Sequence, residues 1–270
     1  MRDGEPEVFL KKVYEAKVVR LEKKKEIMPQ AEMERRIYES KKRPFMEKFS
    51  ERYPEEVKII AEFKNASPSS GLLGNDVDFK KQLRSYENGG ASAVSIVTEE
   101  EYFGGDSGYL GSAKESTELP VLRKDFIVDP YEIVESKYFG ADAILLIAEM
   151  LDTRTIKEFL KICLHYEMDV LLEVHREDAL MDVLRIFDGQ FLLGINSRDL
   201  SSLTIDHGHA EKLLSLVPKE VPVIIESGIR DREDILRFIG YGVSGFLVGT
   251  TLMKSENPEM IIKWLKNGKG

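Results

Sequence analysis

Eight short runs rich in Val, Ile and Leu recur along this chain, and the stretches between them are amphipathic. They are Val57–Phe63, Ala93–Thr98, Pro120–Arg123, Ala143–Ile147, Val170–Val174, Phe191–Ile195, Val221–Ile225 and Gly245–Val248. Near-continuous aliphatic content marks strands buried on both faces, as in parallel sheets covered by helices. Their spacing, roughly 21 to 36 residues, holds one strand, one helix and two loops. Eight such units predict a closed (β/α)8 barrel over residues 57–270, with the whole chain as one domain. A doubly wound sheet is the main rival, but it would place a Gly-x-Gly-x-x-Gly turn after the first strand. Glu62-Phe63-Lys64-Asn65-Ala66-Ser67 stands there instead.

Residues 1–50 differ in texture. From about Val8 to Lys48 the chain is highly charged, and Phe9, Leu10, Val13, Val18 and Leu21 recur at near-helical spacing, so this extension reads as helix. Lys23-Lys24-Lys25 is flanked by Glu22 and Glu26, the usual company of a solvent-facing helical run. The chain carries a net charge of -9 with both signs interleaved, which argues against nucleic acid as a partner. An acidic protein binds an anion only through a local patch of donors. Cys163 is the only cysteine, so no intramolecular disulfide or thiolate metal cluster forms, and its apolar setting predicts a buried helix position. No apolar run approaches a membrane span, and the first residues lack a signal-peptide core, so a cytoplasmic protein is expected.

In a parallel barrel the chemistry gathers where strands hand over to the following loops. The first run ends at Glu62 with Lys64 two residues on, the third meets Lys124, and the fifth holds Glu173. The sixth leads to Asn196 and Arg198, the seventh to Glu226-Ser227-Gly228, and the eighth to Gly249-Thr250. Period-two alternation puts Glu62 and Lys64 on one side of the chain. One such residue alone reads as an ordinary ion pair or loop residue. Closing the strands in order crowds two lysines and three glutamates into one mouth, an arrangement that tunes acids and bases and that core packing does not require. The turns after the seventh and eighth runs, Glu226-Ser227-Gly228-Ile229 and Val248-Gly249-Thr250-Thr251, carry the small and hydroxyl residues of a barrel phosphate site. Ser67-Pro68-Ser69-Ser70-Gly71 reads either as a plain loop or as a lid adding hydroxyl donors.

Taken in order, Ile60–Lys64 with Ala66–Ser69, Tyr102–Gly105, Leu122–Ile127, Leu172–His175, Gly194–Leu200 and Glu226–Ile229 resemble the indole-3-glycerol phosphate synthase family. The resemblance spans essentially the whole chain, the helical extension included. It implies a cofactor-free and metal-free lyase of tryptophan biosynthesis. Its substrate would be 1-(2-carboxyphenylamino)-1-deoxyribulose 5-phosphate, closed to an indole with loss of carbon dioxide and water. It further implies Lys124 as general acid at the substrate carbonyl and Glu173 as the acid/base of the dehydration. Lys64 would pair with the substrate carboxylate, and Glu62 would position a lysine. Asn196, Arg198 and Glu226 would arrange hydrogen bonds to the substrate. Ser67, Ser227, Gly228, Gly249 and Thr250 match the phosphate positions, Phe103 and Leu145 the walls of the aromatic ring.

Asn65 and Ser70 depart from the family, which often carries basic residues there. An isomerase of phosphoribosylanthranilate would need a Cys and Asp pair, and Cys163 lies in a helix pattern. A non-catalytic scaffold would show eroded strand ends, yet the charged set is intact. The chain stops soon after Trp264-Leu265-Lys266, which predicts a single activity. A monomer, or weak association with other enzymes of the pathway, is expected.

Overall fold

The computed structural model describes residues 5–37, 42–52, 54–67, 71–73, 77–198 and 204–268. Eight parallel strands close a barrel in chain order: β1 (Ile59–Phe63), β2 (Ala93–Val97), β3 (Val121–Lys124), β4 (Ala143–Ile147), β5 (Asp169–Val174), β6 (Leu192–Asn196), β7 (Val223–Glu226) and β8 (Gly245–Val248). Closure is made by β1, whose Ile60 pairs with Ala93 of β2 on one side and Leu247 of β8 on the other. All eight predicted runs are strands, two with unchanged bounds and the others trimmed, extended or shifted by a residue or two. The shift at β6 and β7 makes Asn196 and Glu226 the last strand residues rather than the first loop residues.

Alternation along the strands sorts two cores. Ala61, Ile96, Leu146, Leu172, Ile195, Ile225 and Phe246 face outward under the helices. Ile60, Leu122, Leu145, Leu171, Leu192, Ile224 and Leu247 point into the barrel, and Phe45 and Phe49 plug its floor. Six of the outer helices start where a short polar side chain caps them, while α4 (Gly108–Ser116) and α7 (Glu177–Leu184) start without one. Asp78, Asp129, Asp152, Asp206, Asp231 and Asn257 each accept a backbone N-H at the start of α3 (Phe79–Asn88), α5 (Pro130–Tyr138), α6 (Thr153–His165), α8 (His207–Leu216), α9 (Arg232–Ile239) and α11 (Pro258–Asn267). Cys163 is buried in α6, as its setting predicts.

The extension is helical, as its spacing predicts, but in separate pieces. It is α1 (Glu5–Ile27), α2 (Gln30–Arg36) and a 3-10 turn at Met46–Phe49. Pro29 divides the first two, because it has no N-H to donate to Lys25 O, its ring clashes with that carbonyl, and it restricts Met28. Val18 is exposed, and buried Lys17 takes the barrel-facing place between Val13 and Leu21. Nor is the lysine triplet plain surface. Lys24 pairs with Glu100 and Glu135, and Lys25 with Asp129, pinning α1 to the barrel mouth. Among the described residues no helix is long and apolar enough to cross a membrane.

Candidate active site

One cavity of about 270 Å³ opens at the C-terminal ends of the strands. Its floor is the layer of side chains directly above the apolar interior. Because inward positions repeat every second residue, Ile60 is followed by Glu62, Leu122 by Lys124, Leu171 by Glu173 and Ile224 by Glu226. Lys124 Nζ stands 3.3 Å from Glu173 Oε2 and 3.3 Å from Glu226 Oε2. Lys64 Nζ pairs with Glu62 Oε1 at 2.7 Å, as same-side spacing requires. The Asn196 side-chain amide donates to Glu173 Oε1 at 2.8 Å, while its Oδ1 accepts the Arg198 backbone N-H at 3.0 Å. Lys64, Lys124, Glu62, Glu173, Asn196 and Arg198 thus line one space, with Glu226 beneath Lys124.

The charges balance unevenly. Burial pushes the Glu226 carboxyl up, the Glu173 charge adds to this, and Lys124 offsets only part, leaving its pKa at about 8. Among the described residues Glu226 Oε1 has no hydrogen-bond partner and Oε2 meets only the Lys124 ammonium at 3.3 Å, too little to hold a buried charge. Burial also works against a charged Glu62, but Lys64 and Lys124 outweigh it and hold that carboxyl below its usual range. For Lys124, burial favours the neutral amine, and Glu173, Glu226 and Glu62 together overcome it, so the ammonium is retained well into alkaline pH. At neutral pH the inner mouth therefore sets Lys64, Lys124 and Arg198 against Glu62 and Glu173. Two further acids at the rim are answered from behind. Asp125 Oδ1 is 2.6 Å from Lys17 Nζ, and Glu99 meets Arg20 and three backbone N-H groups. An acidic protein thereby presents a locally cationic pocket suited to an anion.

The loops after β7 and β8 form the opposite wall. Ser227 and Gly228 both have positive φ, 65° and 80°, so two successive residues adopt left-handed backbone. For a serine that conformation is strained, and it persists where the surrounding structure over-determines it. Gly249 precedes the short helix α10 (Thr250–Met253), and Thr251 Oγ1 donates to Ile229 O at 2.6 Å, tying the two loops together. Apolar walls come from Phe103, Phe126, Leu145, Ile147 and, from α1, Phe9. Phe9 meets Tyr102 edge-on at 5.2 Å. Ser67 sits in a two-residue ribbon strand paired with Gly71–Leu72, and its side chain lies outside the described residues, as do Pro68, Ser69 and Ser70. Asn65 acts as a tie, donating to Gly104 O at 2.8 Å and so joining the first loop to the second.

Sequence reasoning missed Phe9, Glu99, Asp125 and Arg230 as lining residues, and Lys17 behind them. Asp125 was visible inside Arg123-Lys124-Asp125-Phe126. Nothing local revealed that α1 folds back to neutralise it.

Fold and site together define a (β/α)8-barrel enzyme, with a charged mouth flanked by a wall of small and hydroxyl residues. The family model described as "Indole-3-glycerol phosphate synthase" matches residues 10–265, and the chain belongs to that family. The indole-3-glycerol phosphate synthase of Lachnospira eligens is 35% identical over 266 residues, covering 96% of this chain and 97% of its own. That of Lachnoclostridium phytofermentans is 40% identical over 211 residues, or 78% and 77% of the two chains. Among solved structures, 3-hexulose-6-phosphate synthase from Salmonella typhimurium superposes with a TM-score of 0.62 at 14% identity, covering 77% of this chain and 96% of that one. This last likeness is one of fold.

Proposed function

We propose that the chain makes indole-3-glycerol phosphate from 1-(2-carboxyphenylamino)-1-deoxyribulose 5-phosphate for tryptophan biosynthesis, as a carboxy-lyase acting in the barrel mouth. The observation that carries this is Lys124, held between Glu173 and Glu226 at 3.3 Å from each, in the pocket at the barrel mouth. Ring closure builds negative charge on the substrate carbonyl oxygen as the carboxyl-bearing aryl carbon attacks. Lys124 stabilises that charge and delivers the proton, because the nascent alkoxide is more basic even than a lysine strengthened by its neighbours. The ring-closed iminium is its own electron sink, so carbon dioxide leaves with the bonding pair passing to nitrogen. Glu173, fixed by Asn196, then takes a proton from the ring CH2 and passes it to the departing hydroxyl, which leaves as water as the ring double bond forms. Lys64 pairs with the substrate carboxylate, and Glu62 positions Lys64. Arg198 and Glu226 arrange hydrogen bonds around the sugar. Ser67, Ser227, Gly228, Gly249 and Thr250 hold the phosphate, and Phe103 and Leu145 flank the aromatic ring. Anchoring both ends folds a flexible substrate into its reactive shape.

A second cavity of about 480 Å³ lies between α1 and α7 (Glu177–Leu184). Its arginines Arg176 and Arg185 already pair with Asp178 and Asp182, so it lacks the cationic excess of the mouth. The same reading treats residues 1–270 as one domain, with 1–50 as a helical extension closing the mouth of the 57–270 barrel. It makes the protein a cytoplasmic monomer or a weak associate of its pathway partners, without nucleic-acid or membrane contacts.

The test is to mix purified protein with the carboxyphenylamino-deoxyribulose phosphate and follow indole fluorescence, with Lys124→Ala and Glu173→Gln as controls. Fluorescence from the unsubstituted protein alone supports the assignment. Substrate binding with no product would favour a non-catalytic barrel, and no binding would favour another phosphorylated substrate.

A further inference from the structure

Behind the strained Ser227-Gly228 turn stands a buried pair that the chemistry above does not use. His207 opens α8 and Asp234 lies in the first turn of α9, and both are more than nine-tenths buried. His207 Nδ1 is 3.4 Å from Asp234 Oδ1. The other oxygen of Asp234 accepts the Arg230 backbone N-H at 2.9 Å, so one carboxylate joins the end of the turn to the histidine ring. The far edge of that ring has no polar partner: Nε2 is buried without a hydrogen bond among the described residues. It lies against Gly228, where an added Cβ would come within 2.5 Å of Nε2 and 2.6 Å of Ile205 Cγ2. The ring also meets Phe238 edge-on at 5.4 Å, which fixes its plane.

We infer that His207 and Asp234 are positioning residues that hold the Ser227-Gly228 turn in its left-handed conformation and so preset its backbone N-H groups for the substrate phosphate. The inference rests on the phosphate site proposed above. A serine at positive φ relaxes toward ordinary backbone unless its surroundings over-determine it. Asp234 grips the turn at Arg230, and the ring fills the space into which Gly228 would collapse. Neither residue touches substrate. The effect therefore falls on ground-state binding of the phosphate end and spares the chemistry at Lys124, some distance across the mouth.

The experiment measures kcat, KM and competitive inhibition by inorganic phosphate for the unsubstituted protein and for His207→Ala, His207→Asn and Asp234→Asn, with thermal unfolding alongside. His207→Ala raises KM and the phosphate inhibition constant together by about tenfold, with kcat unchanged. His207→Asn keeps a nitrogen near the Nδ1 position and recovers part of the loss, while Asp234→Asn, which loosens the grip on Arg230, gives a smaller rise. A lowered melting temperature with KM and phosphate inhibition unchanged would overturn the inference, as would a loss confined to kcat. If the unsubstituted protein turns over substrate but ignores phosphate, the phosphate site itself fails, and this inference with it.

Discussion

The barrel interior is built in two layers from the same strands, and they differ in everything except geometry. The lower layer, Ile60, Leu122, Leu171, Leu192, Ile224 and Leu247, is fully apolar and closed beneath by Phe45 and Phe49. Two residues further along, the upper layer carries Glu62, Lys124, Glu173 and Glu226, with Asn196 on β6 at the same rim. The lower layer gains from burial, at about 25 cal/mol per Å² of apolar area. The upper layer works against it: Glu62 and Lys124 keep charges that are costly to desolvate only through their partners, and Glu226 holds its proton instead. Stability is thus concentrated below and chemistry above, separated by one period of the strand.

The contrast is broken most severely at Lys124. Replacing it with Ala lowers kcat about a thousandfold with little change in KM and leaves a folded chain, as steady-state kinetics and circular dichroism would show. A mainly raised KM would assign the residue to binding instead. In the lower layer, Leu171→Ala removes a fully buried side chain and costs about 2–5 kcal/mol of unfolding free energy. Denaturant titration should find this loss while turnover of the folded protein stays near normal. Between the layers lies Gly194, where an added Cβ would sit 2.3 Å from Glu226 Oε1. Gly194→Ala must displace that carboxyl, and with it Lys124, so a loss of about a hundredfold in kcat is expected.

The mildest expectation concerns pH. Glu226 is held at about 8 in the folded protein, above the ordinary carboxyl value of 4.5. Below pH 4.5 folded and unfolded chains both hold this proton. As pH rises toward 8 only the folded chain keeps it, so this group's contribution to stability declines across that window. Glu226→Gln removes the decline: its urea midpoint, relative to the unsubstituted protein, climbs from pH 5 to pH 8. A constant difference would place Glu226 in its ordinary ionised state.

Much of this was legible in the sequence because parallel barrels repeat. Buried strands announce themselves as aliphatic runs, and the residue where each run turns polar marks the mouth. That rule found Glu62, Lys124, Glu173, Asn196 and Glu226 without any knowledge of their distances. It failed where position depends on tertiary docking. Lys17 interrupts an apolar stripe, and only its contacts with Asp125 and Glu132 explain why a lysine is buried there. Arg123, an outward strand position beneath the helices, is 1% exposed and satisfied by Asp125 and Glu135, contacts that no local pattern shows. Val18 fits the helical pattern yet faces solvent, because α1 turns its Lys17 side to the barrel. His207 gave no local hint at all, since its partner Asp234 lies on another helix.

The most direct test of the central claim is a crystal structure of the protein with indole-3-glycerol phosphate bound. The phosphate is expected on the Ser227-Gly228 and Gly249-Thr250 backbone, and the indole between Phe103 and Leu145, above the charged layer. Product bound in the cavity between α1 and α7, or lying in the mouth with its phosphate against Lys64, would contradict it.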